Sequence, residues 1–149
     1  MILDYLRKKN KWWKNTFHKL FDTLLKDSEK KGQITGATMF LITSAILSNT
    51  FPNRITEVSI LILTFADPFA SIVGNKISLK NIWRKKTLGG SLSFFVVSLL
   101  ILNIYFHSNI LYLVICALIV TIIELFSGEF LENFLIGFIA AILITLLSC

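Results

Sequence analysis

From residue 34 onward the chain alternates long apolar runs with short polar breaks. The runs cover residues 34–50, 55–73, 91–106, 110–126 and 134–147. Each approaches the length of a helix that crosses a bilayer, and helix is the default because lipid leaves every backbone group to be satisfied within the segment. Flanking polar residues or local thinning of the bilayer accommodate the shorter ones. The breaks carry turn chemistry: Phe51-Pro52-Asn53, a polar loop over residues 74–90, His107-Ser108-Asn109, and an acidic loop over residues 127–133. The pattern predicts an all-α, polytopic membrane domain over residues 32–149 with about five transmembrane helices.

Residues 1–31 read differently. Trp13, Phe17, Leu20, Phe21, Leu24 and Leu25 follow helical spacing, and lysines fall largely between them. This is the pattern of an amphipathic helix lying in the interface, with Trp12 and Trp13 near headgroup level. A charged stop before the first span is the plainer alternative.

Composition supports a membrane class. The chain has 149 residues, 54% of them hydrophobic and 16% charged, with a mean hydropathy of +0.71. These values exclude a disordered chain and argue against an ordinary soluble domain. The net charge of +6 suits anionic headgroups and phosphates rather than nucleic acid once the spans are recognised. Cys116 and Cys149 form neither a disulfide framework nor a metal-binding spacing.

The charges also orient the chain. Nine basic residues lie in residues 1–31, five (Lys76, Lys80, Arg84, Lys85 and Lys86) follow the second span, and Arg54 alone separates spans one and two. By the positive-inside rule the N-terminus and the second and fourth loops face the cytoplasm, and the C-terminus lies outside.

That topology gathers the chemistry on one side. Asp67 is an acid inside an apolar run, which is costly and usually functional. Pro68 disturbs the helix beside it. Glu124 closes the fourth span, and Glu132 and Asn133 lie in the next cytoplasmic loop. A hard cation such as Mg²⁺ takes a few carboxylates together with phosphate and water, so Asp67 and Glu124 are candidate metal ligands and Glu132 a further catalytic candidate; Glu124 reads equally as a general base or as a partner for the lysine cluster. Lys85, Lys86, Thr87, Gly90 and Ser91, with Gly74 and Lys76 upstream, form a candidate phosphate cradle. In it, glycine admits the backbone and the third span points its N-terminus at the ligand. Each feature also has a structural reading: a helix-terminal Asp-Pro turn, boundary or loop carboxylates, and a positive-inside anchor with a Gly-Gly turn. No Walker A string, dinucleotide fingerprint or nucleophilic triad is present.

At these residues the chain resembles the CTP-dependent lipid kinase family, which includes dolichol kinase, phytol kinase and the CTP-using diacylglycerol kinase. Over the same motifs it is similar to phosphatidate cytidylyltransferases. The matching positions are Asp67, Ala70, Ser71, Gly74 and Lys76, then Lys85, Lys86, Thr87, Gly90 and Ser91. Upstream, Lys26, Glu29, Thr35, Gly36 and Ala37 match, and downstream Glu124-Leu125-Phe126-Ser127 and Glu132-Asn133. Gly89 stands where the family usually has Glu, Ser78 where a second Gly is common, and Glu132 where Asp is usual. The family's N-terminal spans have no counterpart, which leaves a truncated, minimal or inactive form open.

The resemblance implies phosphoryl transfer from CTP to the hydroxyl of an isoprenoid alcohol or diacylglycerol at the cytoplasmic face, with Mg²⁺ on Asp67 and Glu124 or Glu132. Lys85 and Lys86 would take the CTP phosphates. The cytidylyltransferase reaction on phosphatidate is the first alternative, and a non-enzymatic transporter or membrane subunit the second. The expected partners are a membrane lipid and CTP, with homo-oligomerisation left open.

Overall fold

The computed structural model describes residues 36–77, 81–83, 86–106, 109–128 and 131–148. The interfacial helix expected over residues 1–31 lies outside them. The chain forms two compact units, Met1–Ile42 and Thr43–Cys149. Of the first, the described residues are the opening turns of helix α1 (Gly36–Thr50), which ends in the second.

The second unit is helical. Helix α2 (Asn53–Leu61) runs through a π-helical turn (Ile62–Ala66) into α3 (Asp67–Lys76). A two-stranded hairpin follows, β1 (Asn81–Trp83) antiparallel to β2 (Lys86–Thr87). Then come α4 (Leu88–Tyr105), α5 (Ile110–Phe126) and α6 (Glu132–Ser148). Two helical stretches are long and apolar enough to cross a membrane: Asn53–Lys76, with 24 residues, and Leu88–Tyr105, with 18. Among the described residues the expected runs are helical but for Phe106, and the bounds of all but the run over 110–126 shift. Helix α3 continues to Lys76, α4 begins at Leu88 and α6 at Glu132, so the polar loops shrink. The hairpin is an addition to the all-α expectation.

The turn at residues 62–66 has an identifiable cause. Pro68 has no N–H for the carbonyl four residues back, and its ring crowds that carbonyl. A single π turn just before it widens the helix and absorbs the misfit. Helicity therefore continues through Asp67 rather than stopping there, as a helix-ending Asp-Pro turn would require.

Helix α4 divides into two faces. Gly90, Phe94, Ser98 and Leu102 are buried, and Leu92, Val96, Leu100 and Ile104 are exposed. The two sets are offset by two residues, which places them on opposite sides of a helix. Its N-terminal turn crosses α3 at very short range. A Cβ added to Gly90 would lie 2.9 Å from the Ala70 carbonyl oxygen, and one added to Gly74 would lie 2.7 Å from Thr87 Oγ1. Ala70 and Gly74 are four residues apart on α3, a small-xxx-small pair that lets two backbones approach. Gly137 of α6 serves the same purpose against Leu63 and Thr43, whose side chains would each lie 2.9 Å from an added Cβ.

The far end of α4 is closed by Arg54. Its guanidinium donates to the Tyr105 carbonyl and lies 5.3 Å from the centroid of the Phe106 ring. A cation at a helix C-terminus meets carbonyls that lack intrahelical donors.

Replacing a helical glycine by alanine gains up to about 1 kcal/mol in propensity, whereas overpacking costs about 1–3 kcal/mol. At Gly90 the obstacle is backbone. Gly90→Ala is therefore expected to lower the unfolding midpoint in detergent, followed by circular dichroism. Gly89→Ala, where an added Cβ would lie 3.2 Å from the Ile77 carbonyl oxygen, is expected to be close to neutral. An unchanged midpoint in Gly90→Ala would contradict the crossing.

Candidate functional site

Asp67, Glu124 and Glu132 come from three different helices and meet. One carboxylate oxygen from each lies within 4.8 Å of the others. Asp67 is half-buried on the long helix just past the π turn. Glu124 sits in the last turn of α5 and Glu132 in the first turn of α6. The connection between those helices is short and built to hold them together. Ser127 donates its hydroxyl to the Glu124 carbonyl at 3.0 Å. The Gly128 carbonyl accepts from the amides of Leu131 and Glu132 at 3.1 Å each. Chain reversal within a few residues therefore brings the two glutamates side by side.

Both glutamates are buried, with Glu124 only 1% exposed and Glu132 4%. A lone buried carboxylate is very costly. Here the hairpin supplies the counter-charge: the Lys86 ammonium pairs with Oε1 of Glu124 and with Oε1 of Glu132. Trp83, three residues back on the hairpin, packs edge-on against Phe126 at 5.7 Å between centroids. Phe126 lies two residues after Glu124, so this aromatic contact fixes the hairpin at the point from which Lys86 reaches both acids. Glu124 Oε2 is left buried without a hydrogen-bond partner. An unsatisfied buried carboxylate oxygen calls for an explanation, and a bound cation is one.

Burial works against the Lys86 charge. The fields and hydrogen bonds of Glu132 and Glu124 outweigh it and hold its pKa above the ordinary 10.5. A raised lysine stabilises the fold fully below its unfolded value and loses that contribution as pH rises through the folded one. Lys86 is therefore charged throughout the neutral range.

The other expected phosphate-cradle residues divide. Thr87 is the N-cap of α4, its Oγ1 accepting from the Gly90 amide at 3.2 Å. Gly74 and Gly90 stand at the helix crossing, which accounts for both glycines by packing. Gly89 and Gly90 lie inside the first turn of α4 rather than in a loop turn. The Ser91 hydroxyl is buried without a hydrogen-bond partner. Lys76 is exposed in the last turn of α3. Lys85 lies outside the described residues. Glu132 and Asn133, expected in a loop, belong to α6, and Glu132 is buried rather than solvated.

Sequence reasoning assigned Lys86 to phosphate and weighed Glu124 as a partner for the lysine cluster; it did not single out Lys86 as that partner or bring Glu132 into the pair. Trp83 went unnoticed as an anchor, although its place in a basic loop was visible. No family model, curated protein or solved structure matches the chain.

Removing one partner of a buried ion pair costs about 3–5 kcal/mol because the other charge is left uncompensated. Lys86→Met is expected to lose stability in that range in metal-free buffer. Adding Glu124→Gln should recover much of the loss, because it removes one of the stranded charges. A double-mutant cycle on unfolding midpoints checks this, and additivity of the two changes would contradict the coupling.

Proposed function

We propose that this chain is a multi-pass membrane enzyme that transfers a phosphoryl group from CTP to a lipid hydroxyl, using a divalent cation held by Asp67, Glu124 and Glu132. The observation that carries the reading is the convergence of these three acids with Lys86, a residue of the Lys-Lys-Thr string, at one end of the helical unit.

The membrane part rests on outward faces that are apolar. Helix α4 exposes Leu92, Val96, Leu100 and Ile104, and α5 exposes Leu111, Ile115, Leu118 and Ile122. Polar Ser98 and Glu124 are buried in the same helices. Polar inside and apolar outside suits lipid as the surrounding solvent. We take all five apolar helices as spans. The Lys76–Thr87 end then faces the cytoplasm together with residues 1–31, and Arg54 lies on the other side.

The donor set fits a hard cation. Three carboxylates from separate helices, one with an oxygen still unsatisfied, match the oxygen-rich, charge-dense shell that Mg²⁺ prefers. A cation bound there neutralises phosphate charge and aligns the transferred group. Around it, Asp67 and Glu124 would orient the ion, and Asp67, the half-buried one of the three acids, would share it with a phosphate oxygen and water. The basic residues between Lys76 and Lys86 would draw an anionic nucleotide to this end of the molecule. The lipid hydroxyl would arrive from the bilayer between spans. Isoprenoid alcohol and diacylglycerol both fit this scheme.

Asp67→Asn is expected to abolish turnover, by at least about a hundredfold as for loss of a charge-stabilising group, with the unfolding midpoint little changed. The assay is a mixed-micelle reaction with Mg²⁺, CTP labelled in its γ-phosphate, and polyprenol, phytol, diacylglycerol or phosphatidate. Label in an organic-soluble product supports the kinase. Labelled pyrophosphate formed only with phosphatidate moves the protein to the cytidylyltransferases. Full turnover in Asp67→Asn would refute the assignment of the site.

A further inference from the structure

Lys86 raises a question that the proposed chemistry leaves open. A lysine meant for phosphate is found on the carboxylates meant for metal. Its ammonium holds Oε1 of Glu124 and Oε1 of Glu132 at once. The third acid, Asp67, is within 4.8 Å of the same cluster, and the buried Glu124 Oε2 has no hydrogen-bond partner.

We propose that Lys86 is a resident stand-in for the metal: its ammonium occupies the carboxylate cluster in the unliganded protein, and a divalent cation takes its place and releases it toward the anionic ligand. This rests on reading the three acids as metal ligands.

The argument is one of shared atoms and charge. An ammonium sits about 2.8 Å from a carboxylate oxygen, and Mg²⁺ about 2.1 Å. Both seek the same oxygens, so a cation bound between the two glutamates would stand against the ammonium. Repulsion between a divalent and a monovalent charge at such range, in a partly desolvated site, is several kcal/mol even at an effective dielectric of about 20. The ammonium has somewhere to go. Lys86 is on a short hairpin, its side chain is 27% exposed, and its stem is flexible. Oxygens sharing one Mg²⁺ lie about 3–4 Å apart, so the cluster needs only a small contraction to close around the ion.

The arrangement explains why two nearly inaccessible glutamates can persist without metal: the lysine neutralises them until the cation arrives. It also couples two events. Once the ion is in, the freed ammonium lacks a counter-charge, and a phosphate oxygen of the incoming ligand provides one. Metal entry would thereby prepare the lysine for phosphate.

The test uses Mn²⁺ as the probe and the purified full chain in detergent micelles, with free Mn²⁺ read by electron paramagnetic resonance. Wild type is expected to bind one Mn²⁺ per chain. Lys86→Met, without the competitor, should bind it about tenfold more tightly or better, and Mn²⁺ should restore much of its lost thermal stability. Equal or weaker binding in Lys86→Met overturns the stand-in role and leaves the metal site standing. Absence of Mn²⁺ binding in both proteins overturns the metal site itself, and this proposal with it. Should Lys86→Met fail to fold, wild type decides. Acylation of Lys86 by a water-soluble succinimidyl ester, followed by peptide mass spectrometry, should accelerate several-fold when Mn²⁺ is added. An unchanged rate overturns the proposal.

Discussion

Two buried glutamates share one lysine, and much of the helical unit is arranged to make that sharing feasible. Glu124 and Glu132 lie at facing helix ends and are nearly inaccessible to solvent, where an unpaired carboxylate would be strongly disfavoured. Lys86 belongs to neither helix. The chain must leave α3, form the hairpin, seat Trp83 on Phe126 and enter α4 with the ammonium already in place. The hairpin is short, so α4 has to begin almost on top of α3, and this requires small residues where the two backbones meet.

The small residues at the crossing are therefore linked to the charges near it. Ala70, Gly74 and Gly90 allow the close approach, and Thr87 closes the new helix end with its hydroxyl. The π turn before Pro68 belongs to the same arrangement, since it lets the long helix continue through Asp67. Packing and chemistry use overlapping stretches of chain at this end. At the opposite end Arg54 satisfies the last carbonyls of α4 and lies against Phe106. The intervening length presents apolar side chains outward, consistent with the proposal that lipid surrounds it.

Such a site differs from an open acidic cluster on a soluble surface. Screening by water and salt is weak around Glu124, so its pairing with Lys86 is decided by short-range geometry and charge rather than by bulk ionic strength. The oxygen left over on Glu124 gives the cluster capacity for more positive charge than Lys86 alone provides.

Much of the helical layout was legible in the sequence. The apolar runs became helices because their length and the intervening Pro, Gly and Asn residues leave little other choice, and the run over residues 110–126 became α5 without a shift. The sequence also singled out Asp67, Glu124 and Glu132, because acids next to long apolar stretches stand out. It did not reveal that Glu132 opens a helix and is buried, that Ala70, Gly74 and Gly90 serve a helix crossing, or that Lys86 is the lysine that holds Glu124 and Glu132 together. The crossing and the pairing depend on contacts between residues 13 to 46 positions apart, and no local pattern encodes such distances. What the chain determined by itself is where helices form and which residues carry charge, since both follow from side-chain chemistry and short-range periodicity. Only the tertiary structure decided which charges neutralise each other, because that depends on how closely the backbones can approach.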